Sequence, residues 1–443
     1  MKEHKIYDLI GIGIGPFNLG LAALVKPVDE LETVFFDQSD EFNWHPGLML
    51  DEVTLQVPFM ADLVTMADPT SPYSFLNYMK ETGKIYKFYI RESFFVFRKE
   101  YNNYCRWVTA QLDNCFFGKK VMAVDYEDGI YTVTVRDTKS DNYSIWHTRK
   151  LVLGTGTNPY VPVEIAQKRF DRVIHTSKYL YHKDQLNGDK SVTIIGSGQS
   201  AAEVFQDLLP EVKKGLRLNW FTRSERFFPL ENHTKLTLEL TSPEYIDYFH
   251  TLPEDQRKTV LAKQNILFKG INYELINQIH NSLYAMELDD PNLKVTLMAN
   301  SKLIDISRSE DQSYLLSLSQ VEENKPFEIE TDYVILATGY KYVEPDFLNG
   351  ILNRIRRLAD GNYDVRRNYT IDHSEEEIFV QNAELHTHGI STPDLGMGAY
   401  RNSQIINQIS GREVYLVEKK IAFQSFSAED ILAEQKMNFN LPL

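Results

Sequence analysis

Cysteine is nearly missing from this chain: Cys105 and Cys115 are the only two in 443 residues. They form no C-x-x-C pair and sit at no metal-ligand spacing, which excludes a redox-active dithiol and a thiolate metal site. Scarce, unpaired thiols suit a reducing compartment, so the cytoplasm is the expected location. Positive charge is also in deficit, with 47 Lys and Arg against 62 Asp and Glu and a net charge of −15. Nothing in that balance draws the chain to nucleic acid or to an anionic membrane. No run of about 18 apolar residues offers a membrane span. The apolar opening stretch does not read as a secretion signal, because Asp8 interrupts it and no small-residue cleavage site follows. Low-complexity linkers are absent as well.

Apolar and aromatic residues are abundant: 43% of the chain is hydrophobic, with 25 Tyr and 25 Phe. That supports a sizeable core, and the length suffices for two or three domains. The clearest local signal is the apolar run Ile6–Ile10 leading into Gly11-Ile12-Gly13-Ile14-Gly15-Pro16 and then an apolar helix from Phe17. A strand, a glycine turn and a helix present backbone N–H groups to a pyrophosphate. Gly11 is expected to make the tight turn, Gly13 to let phosphates approach, and Gly15 to let helix and strand pack. A second strand, Thr33–Phe36, ends in Asp37, roughly 20 residues on, where a carboxylate takes ribose hydroxyls.

The middle of the chain repeats the pattern. The β-branched run Ser191–Ile195 enters Gly196-Ser197-Gly198-Gln199-Ser200, with Ala202 in place of a third glycine. The next strand, Leu216–Thr222, is followed by Arg223. An arginine there suits the 2′-phosphate of NADPH, where an acid would favour NADH; the alternative is a plain surface arginine. Two more apolar strands end in small residues, at Gly154-Thr155-Gly156 and Ala337-Thr338-Gly339. Two nucleotide units in one chain imply a flavoprotein that takes hydride from a nicotinamide.

These segments, with Phe42-Asn43-Trp44-His45-Pro46-Gly47, Asp68-Pro69-Thr70-Ser71-Pro72-Tyr73, His175-Thr176-Ser177 and Thr387-His388-Gly389, resemble the flavin-dependent N-hydroxylating monooxygenases of siderophore biosynthesis. The resemblance covers nearly the whole chain. It implies FAD and NADPH as cofactors, O2 and a small-molecule amine as substrates, and a C4a-hydroperoxyflavin that a neutral primary amine attacks. It implies no acid–base triad and no metal. By position, Trp44, His45 and Gln56 are expected along the flavin, with His388 and Gly389 near it. Gly196, Gly198, Gln199, Ser200 and Arg223 are expected to hold NADPH. Without the resemblance, the alternative for Trp44 and His45 is core packing under a loop.

The departures from the family pattern bear on the substrate. Lysine and ornithine hydroxylases carry a lysine that pairs with the α-carboxylate of the substrate; the matching position here is Ala61, in Gln56-Val57-Pro58-Phe59-Met60-Ala61-Asp62-Leu63-Val64. Leu238 stands where ornithine enzymes have an asparagine, and Gly396 where they have a serine. A buried carboxylate without its partners costs roughly 3–5 kcal/mol, a factor of at least about a hundred in affinity. The expected substrate is therefore a decarboxylated amine: putrescine or cadaverine, with histamine as a further option. A distal ammonium would want an acid, and Asp394 and Glu384 are the candidates, although both also read as solvated surface acids. The competing readings are a lysine or ornithine hydroxylase whose carboxylate partner lies elsewhere, for instance at Lys235 or Arg401, and a non-hydroxylating flavin reductase.

The expected fold is α/β: two Rossmann-like dinucleotide-binding domains with a smaller, mostly helical substrate-binding insert. Residues 1–160 and 325–443 are assigned to the FAD domain, 161–228 and 291–324 to the NADPH domain, and 229–290 to the insert. The segment after Gly411 is expected to be a loosely held extension. The resemblance also implies a homo-oligomer, a dimer or a tetramer.

Overall fold

A computed structural model describes residues 5–186, 190–231 and 234–432. Its first unit is built on strand Ile6–Ile12, which pairs in parallel with Thr33–Phe36 on one side and Tyr143–Leu153 on the other. The second half of Ile6–Ile12 is buried, as a continuous apolar run must be when both faces of its sheet are covered: Leu9 faces the helices, and Ile10 and Ile12 face Val121, Val124, Tyr131 and Leu348. On its other edge the long strand Tyr143–Leu153 serves two further partners. It pairs antiparallel with Ile130–Asp137 over its first part and parallel with Ile378–Val380 at its end. Helix Pro16–Val25 begins with proline, whose fixed φ suits a first turn. It is enclosed almost all round and packs with helices Arg98–Thr109 and Gly398–Ser410.

The second unit is a parallel sheet in the order Val173–His175, Tyr333–Leu336, Ser191–Ile195, Arg217–Phe221, Val295–Met298. A three-stranded antiparallel sheet, Ser301–Arg308, Tyr314–Gln320 and Lys325–Thr331, packs on one face through Ile306, Tyr314, Leu316 and Leu318. The expected boundary at 325 is thus displaced. Lys325–Thr331 and Tyr333–Leu336 pair within the second unit, and the chain returns to the first sheet only at Ile378–Val380. A short, wholly apolar strand carries no local mark of which sheet it will join; its partners decide. The two units are linked by a small ladder in which Tyr340 and Lys341 pair with Pro159 and Asn158.

The segment 229–290 is helical, as expected, but it divides. Helices Pro243–Thr251 and Glu254–Lys263 pack against the short helix Leu385–His388 of the first unit. Helix Tyr273–Asp289 packs on Gln199–Val212 instead, with Ile279 and Met286 in the second unit's core. The chain after Gly411 is not loose in its described part. Tyr415 Oη donates to the Leu24 carbonyl at 2.6 Å. Glu244 accepts the N–H groups of Ile421 and Ala422 at 2.6 and 2.8 Å, and Glu239 those of Phe423 and Gln424 at 3.1 and 3.0 Å. The tail therefore straps the helical insert to the first unit.

Candidate functional site

The carboxyl ends of the first sheet open into a cleft of about 610 Å³ whose walls come from both units. Gly13, Gly15, Pro16, Asp37, Trp44, His45 and Gln56 line it, together with Ser200 from the second glycine turn. The glycines divide the work differently from the sequence expectation. Gly11 lies inside its strand, where a Cβ would stand 2.1 Å from the Phe35 ring. The turn is made at Gly13, with φ of +88° and a would-be Cβ only 2.4 Å from the Gly154 carbonyl oxygen. Gly15 caps helix Pro16–Val25, and a Cβ there would meet nothing within 4 Å. So Gly15, not Gly13, leaves the helix N-terminus open to an approaching group. Asn18 completes the turn by donating to the carbonyl oxygens of Ile12 and Gly13 at 3.3 and 2.7 Å.

Asp37 joins the second strand to this turn. Its Oδ2 accepts the Ile14 N–H at 2.7 Å and its Oδ1 the Ser39 N–H at 2.8 Å. The second turn mirrors the first: Gly196 has φ of +151°, and its Cβ would lie 2.2 Å from the Ala337 carbonyl oxygen. The two small-residue strand ends, at Gly154 and Ala337, are therefore what lets each glycine turn close.

The Trp44 and His45 rings lie 4.8 Å apart between centroids with their planes tilted by 56°, and Tyr340 meets His45 edge-on at 5.7 Å. His45 adopts a left-handed backbone, with φ of 51°. Its ring faces the cleft while protein encloses it beyond, and that enclosure, with the Arg98 guanidinium nearby, lowers its pKa to about 4. His45 is neutral at physiological pH. Gln56 accepts from Asn272 Nδ2 at 2.8 Å. Gln381 also lines the cleft; it is buried, and its Oε1 has no hydrogen-bond partner.

Gly198 caps helix Gln199–Val212. Its Cβ would contact the Lys269 carbonyl oxygen at 3.4 Å. Arg223 follows strand Arg217–Phe221 and is exposed. Lys269, which the sequence reading missed, lies near enough that Arg223 adds to the effect of burial in lowering its pKa. Neither cation forms an ion pair among the described residues. Two neighbouring cations on segments next to this glycine turn suit a phosphate.

The residues expected at the substrate separate into two groups. Ala61, Asp394 and Gly396 meet, with Asp394 on the cleft wall and Ala61 and Gly396 directly behind it. A Cβ on Gly396 would lie 3.8 Å from that of Ala61 and 3.2 Å from Asp394 Oδ1. Asp394 lines the cleft; burial raises its pKa against the opposing pull of the Gly396 N–H and the Arg401 charge. Leu238 does not line the cleft and is 45% exposed on the short helix Lys235–Leu238. Glu384 is wholly enclosed: its Oε2 accepts the Ala383 N–H at 2.8 Å and its Oε1 lies 3.1 Å from Arg401 Nη1. It is no surface acid and is not free for an amine, and Arg401 is likewise engaged.

Neither His388 nor Gly389, expected near the flavin, lines the cleft. His388 is buried and stacks on Tyr369 at 4.5 Å. Gly389 has φ of +70°, and a Cβ there would press on Phe249 at 3.3 Å. The Thr-His-Gly segment is the seat on which the helical insert rests.

Two glycine turns, each following a strand paired in parallel on both sides, at a cleft walled by both units, define a flavoprotein of the two-dinucleotide class. The chain belongs to the L-lysine 6-monooxygenase/L-ornithine 5-monooxygenase family, whose model matches residues 5–342. It is 49% identical to a putrescine N-hydroxylase of Shewanella oneidensis over 96% of this chain and 85% of that one. It is 44% identical to a putrescine N-hydroxylase of Acinetobacter baumannii, over 98% and 97% of the two chains. Among solved structures it resembles the FAD-bound cadaverine monooxygenase of desferrioxamine biosynthesis from Erwinia amylovora, with a TM-score of 0.93, 51% identity and coverage of 96% and 99%. The protein is an NADPH-dependent flavin N-monooxygenase with FAD and NADPH as cofactors. Its cleft fits that pair on its own evidence: an open helix start at Gly15, an acid at Asp37 and an unpartnered buried acceptor at Gln381. Among the described residues no helix is long and apolar enough to cross a membrane.

Proposed function

We propose that the protein N-hydroxylates a primary aliphatic diamine, putrescine or cadaverine, to a hydroxylamine for hydroxamate siderophore assembly. The observation that carries this reading is the meeting of Ala61 and Gly396 beside Asp394. Among the described residues a substrate α-carboxylate finds no uncommitted cation there, since Arg401 is paired with Glu384, and it would face an acid. A second ammonium, in contrast, gains a partner in Asp394. The amino-acid reading is weakened because Arg401, one alternative carboxylate partner, is held by Glu384. Lys235, the other, is exposed on the insert. Histamine shares the missing carboxylate, but its imidazole offers a weaker charge to Asp394. Two relatives at 49% and 44% identity are named for putrescine, and a solved structure at 51% for cadaverine.

In this reading the first unit holds FAD. Gly13, Gly15 and Pro16 face the pyrophosphate, Asp37 the ribose, and Trp44, His45 and Gln56 the flavin. The second unit holds NADPH through Gly196, Gly198, Gln199 and Ser200, with Arg223 and Lys269 on the 2′-phosphate. FAD, once reduced by NADPH, supplies the oxygen chemistry; the chain's residues bind, orient and keep water out. Neutral His45 adds no positive charge beside the cleft, which favours delivery of the amine in its unprotonated form. The enzyme works in the cytoplasm as a homo-oligomer, and the exposed apolar side chains Tyr86, Tyr89, Ile90 and Phe94 offer a face for a second copy. The test is mass-spectrometric detection of the amine plus one oxygen with the loaded enzyme and a panel of putrescine, cadaverine, histamine, lysine and ornithine. A product confined to the amino acids would contradict the proposal.

A further inference from the structure

The two units are joined beside the cleft by a chain of side chains. Arg98, the first residue of helix Arg98–Thr109, donates from Nη1 and Nη2 to the two carboxylate oxygens of Glu203 at 3.1 and 2.9 Å. Glu203 lies on helix Gln199–Val212; its side chain is 1% exposed and that of Arg98 13%. Gln199 Nε2 also donates to Glu203 at 3.0 Å, and its Oε1 accepts the Asn272 N–H at 2.7 Å. Asn272 Nδ2 in turn donates to Gln56. The path leaves the cleft wall at Arg98, crosses the start of the second unit's helix, and returns to the wall at Gln56.

A buried ion pair contributes little net stability, because desolvation offsets the attraction, and an apolar pair of similar volume often serves as well. What a two-pronged guanidinium–carboxylate pair adds is direction: two parallel bonds fix a rotation as well as a distance. Glu203 sits one helical turn from Gln199 and Ser200, so any rotation it prevents is a rotation of the second glycine turn.

We propose that Glu203 is a positioning residue for the reaction: by gripping Arg98 it fixes where the second glycine turn, and the NADPH it carries, meets the flavin. The inference rests on assigning the second unit to NADPH. Two outcomes compete once hydride is delivered. In coupled turnover NADPH, a proton, O2 and the amine give NADP+, the hydroxylamine and water, with one oxygen atom in each of the last two. In uncoupled turnover NADPH, a proton and O2 give NADP+ and hydrogen peroxide. Hydride transfer needs the reacting atoms at about 3–3.5 Å. A looser second unit slows that step and admits water to the cleft.

The experiment compares the FAD-loaded full chain with Glu203→Gln, which keeps the shape and removes the charge. Flavin bleaching is followed anaerobically with saturating NADPH and, separately, with dithionite. Reduction by NADPH is expected to slow at least about tenfold, with reduction by dithionite unchanged and a larger peroxide share per NADPH consumed in air. Adding Arg98→Met to Glu203→Gln is expected to leave the rate within about twofold of the slower single variant, because both remove one interaction. A wild-type bleaching rate in Glu203→Gln, with loss only of thermal stability or FAD content, would overturn the proposal. Should Glu203→Gln fail to fold, Glu203→Asp, which keeps the charge at a shorter reach, gives the same comparison. No amine is present in the bleaching step, so its outcome is independent of the diamine reading.

Discussion

Ala61 and Gly396 face each other so closely that a Cβ on the glycine would lie 3.8 Å from that of the alanine. Residues far apart in the chain are thus small at the same point, beside the carboxylate of Asp394. Neither is a passive gap. Ala61 is held by Asp62, whose carboxylate accepts the N–H groups of Val64, Thr65 and Phe75 at 3.0, 2.6 and 2.7 Å.

Ala61→Lys places an ammonium at this point. Activity on diamines is expected to fall at least about tenfold in kcat/KM, through like-charge repulsion, and activity on lysine or ornithine to rise. Steady-state hydroxylamine formation with matched amines and amino acids checks it.

Asp394→Asn removes the acid proposed for the distal ammonium. Asp394 is partly exposed, so the loss is smaller than for a sealed pair: KM for the diamine is expected to rise about ten- to a hundredfold. NADPH oxidation without amine should stay within about twofold, because Asp394 has no part in hydride delivery. An unchanged KM would remove Asp394 from the substrate site.

Arg223→Ala and Lys269→Ala are each expected to weaken NADP+ binding about tenfold, the value of a charge-assisted bond to phosphate, and to leave NAD+ binding unaltered. Fluorescence titration of the oxidised enzyme with both nucleotides reads this without turnover. Equal losses for both nucleotides would place the cations elsewhere.

His45, His175, His250, His386 and His388 all have pKa values held below the ordinary 6.5, with burial the leading cause at each. A histidine depressed in the folded state takes up its proton more readily when unfolded. Their contribution to stability is therefore complete above pH 6.5 and is lost as the pH falls towards 4, the value to which His45 is lowered. Melting temperature should drop steadily across that window; a flat profile would contradict the depressed pKa values of these rings.

The nucleotide units were legible because their signals are local: an apolar strand, a glycine with positive φ, a helix start. The division of labour among Gly11, Gly13 and Gly15 was not, since it depends on Phe35 and Gly154 arriving from other strands. The same holds for Tyr333–Leu336, whose sheet is set by pairing with Ser191–Ile195. At the site, Ala61 and Gly396 were readable as departures from a pattern, and the structure brings them together. Glu384 was misread because its partner Arg401 is invisible to a one-dimensional reading. His388 lies in a family motif, yet its surroundings are Tyr369 and His250, contributed by distant segments. Arg98 and Lys269 carry no motif of their own; proximity to the glycine turn would have been the only signal.

The most direct test of the central claim compares cadaverine with lysine, and putrescine with ornithine, as pairs that differ only in the carboxylate. Hydroxylamine formation is measured for each, since NADPH consumption also counts uncoupled turnover. A kcat/KM at least about a hundredfold higher for the diamine in each pair is the expected result. Equal or higher values for lysine or ornithine would contradict it, and would mean that another residue takes the place of the cation missing at Ala61.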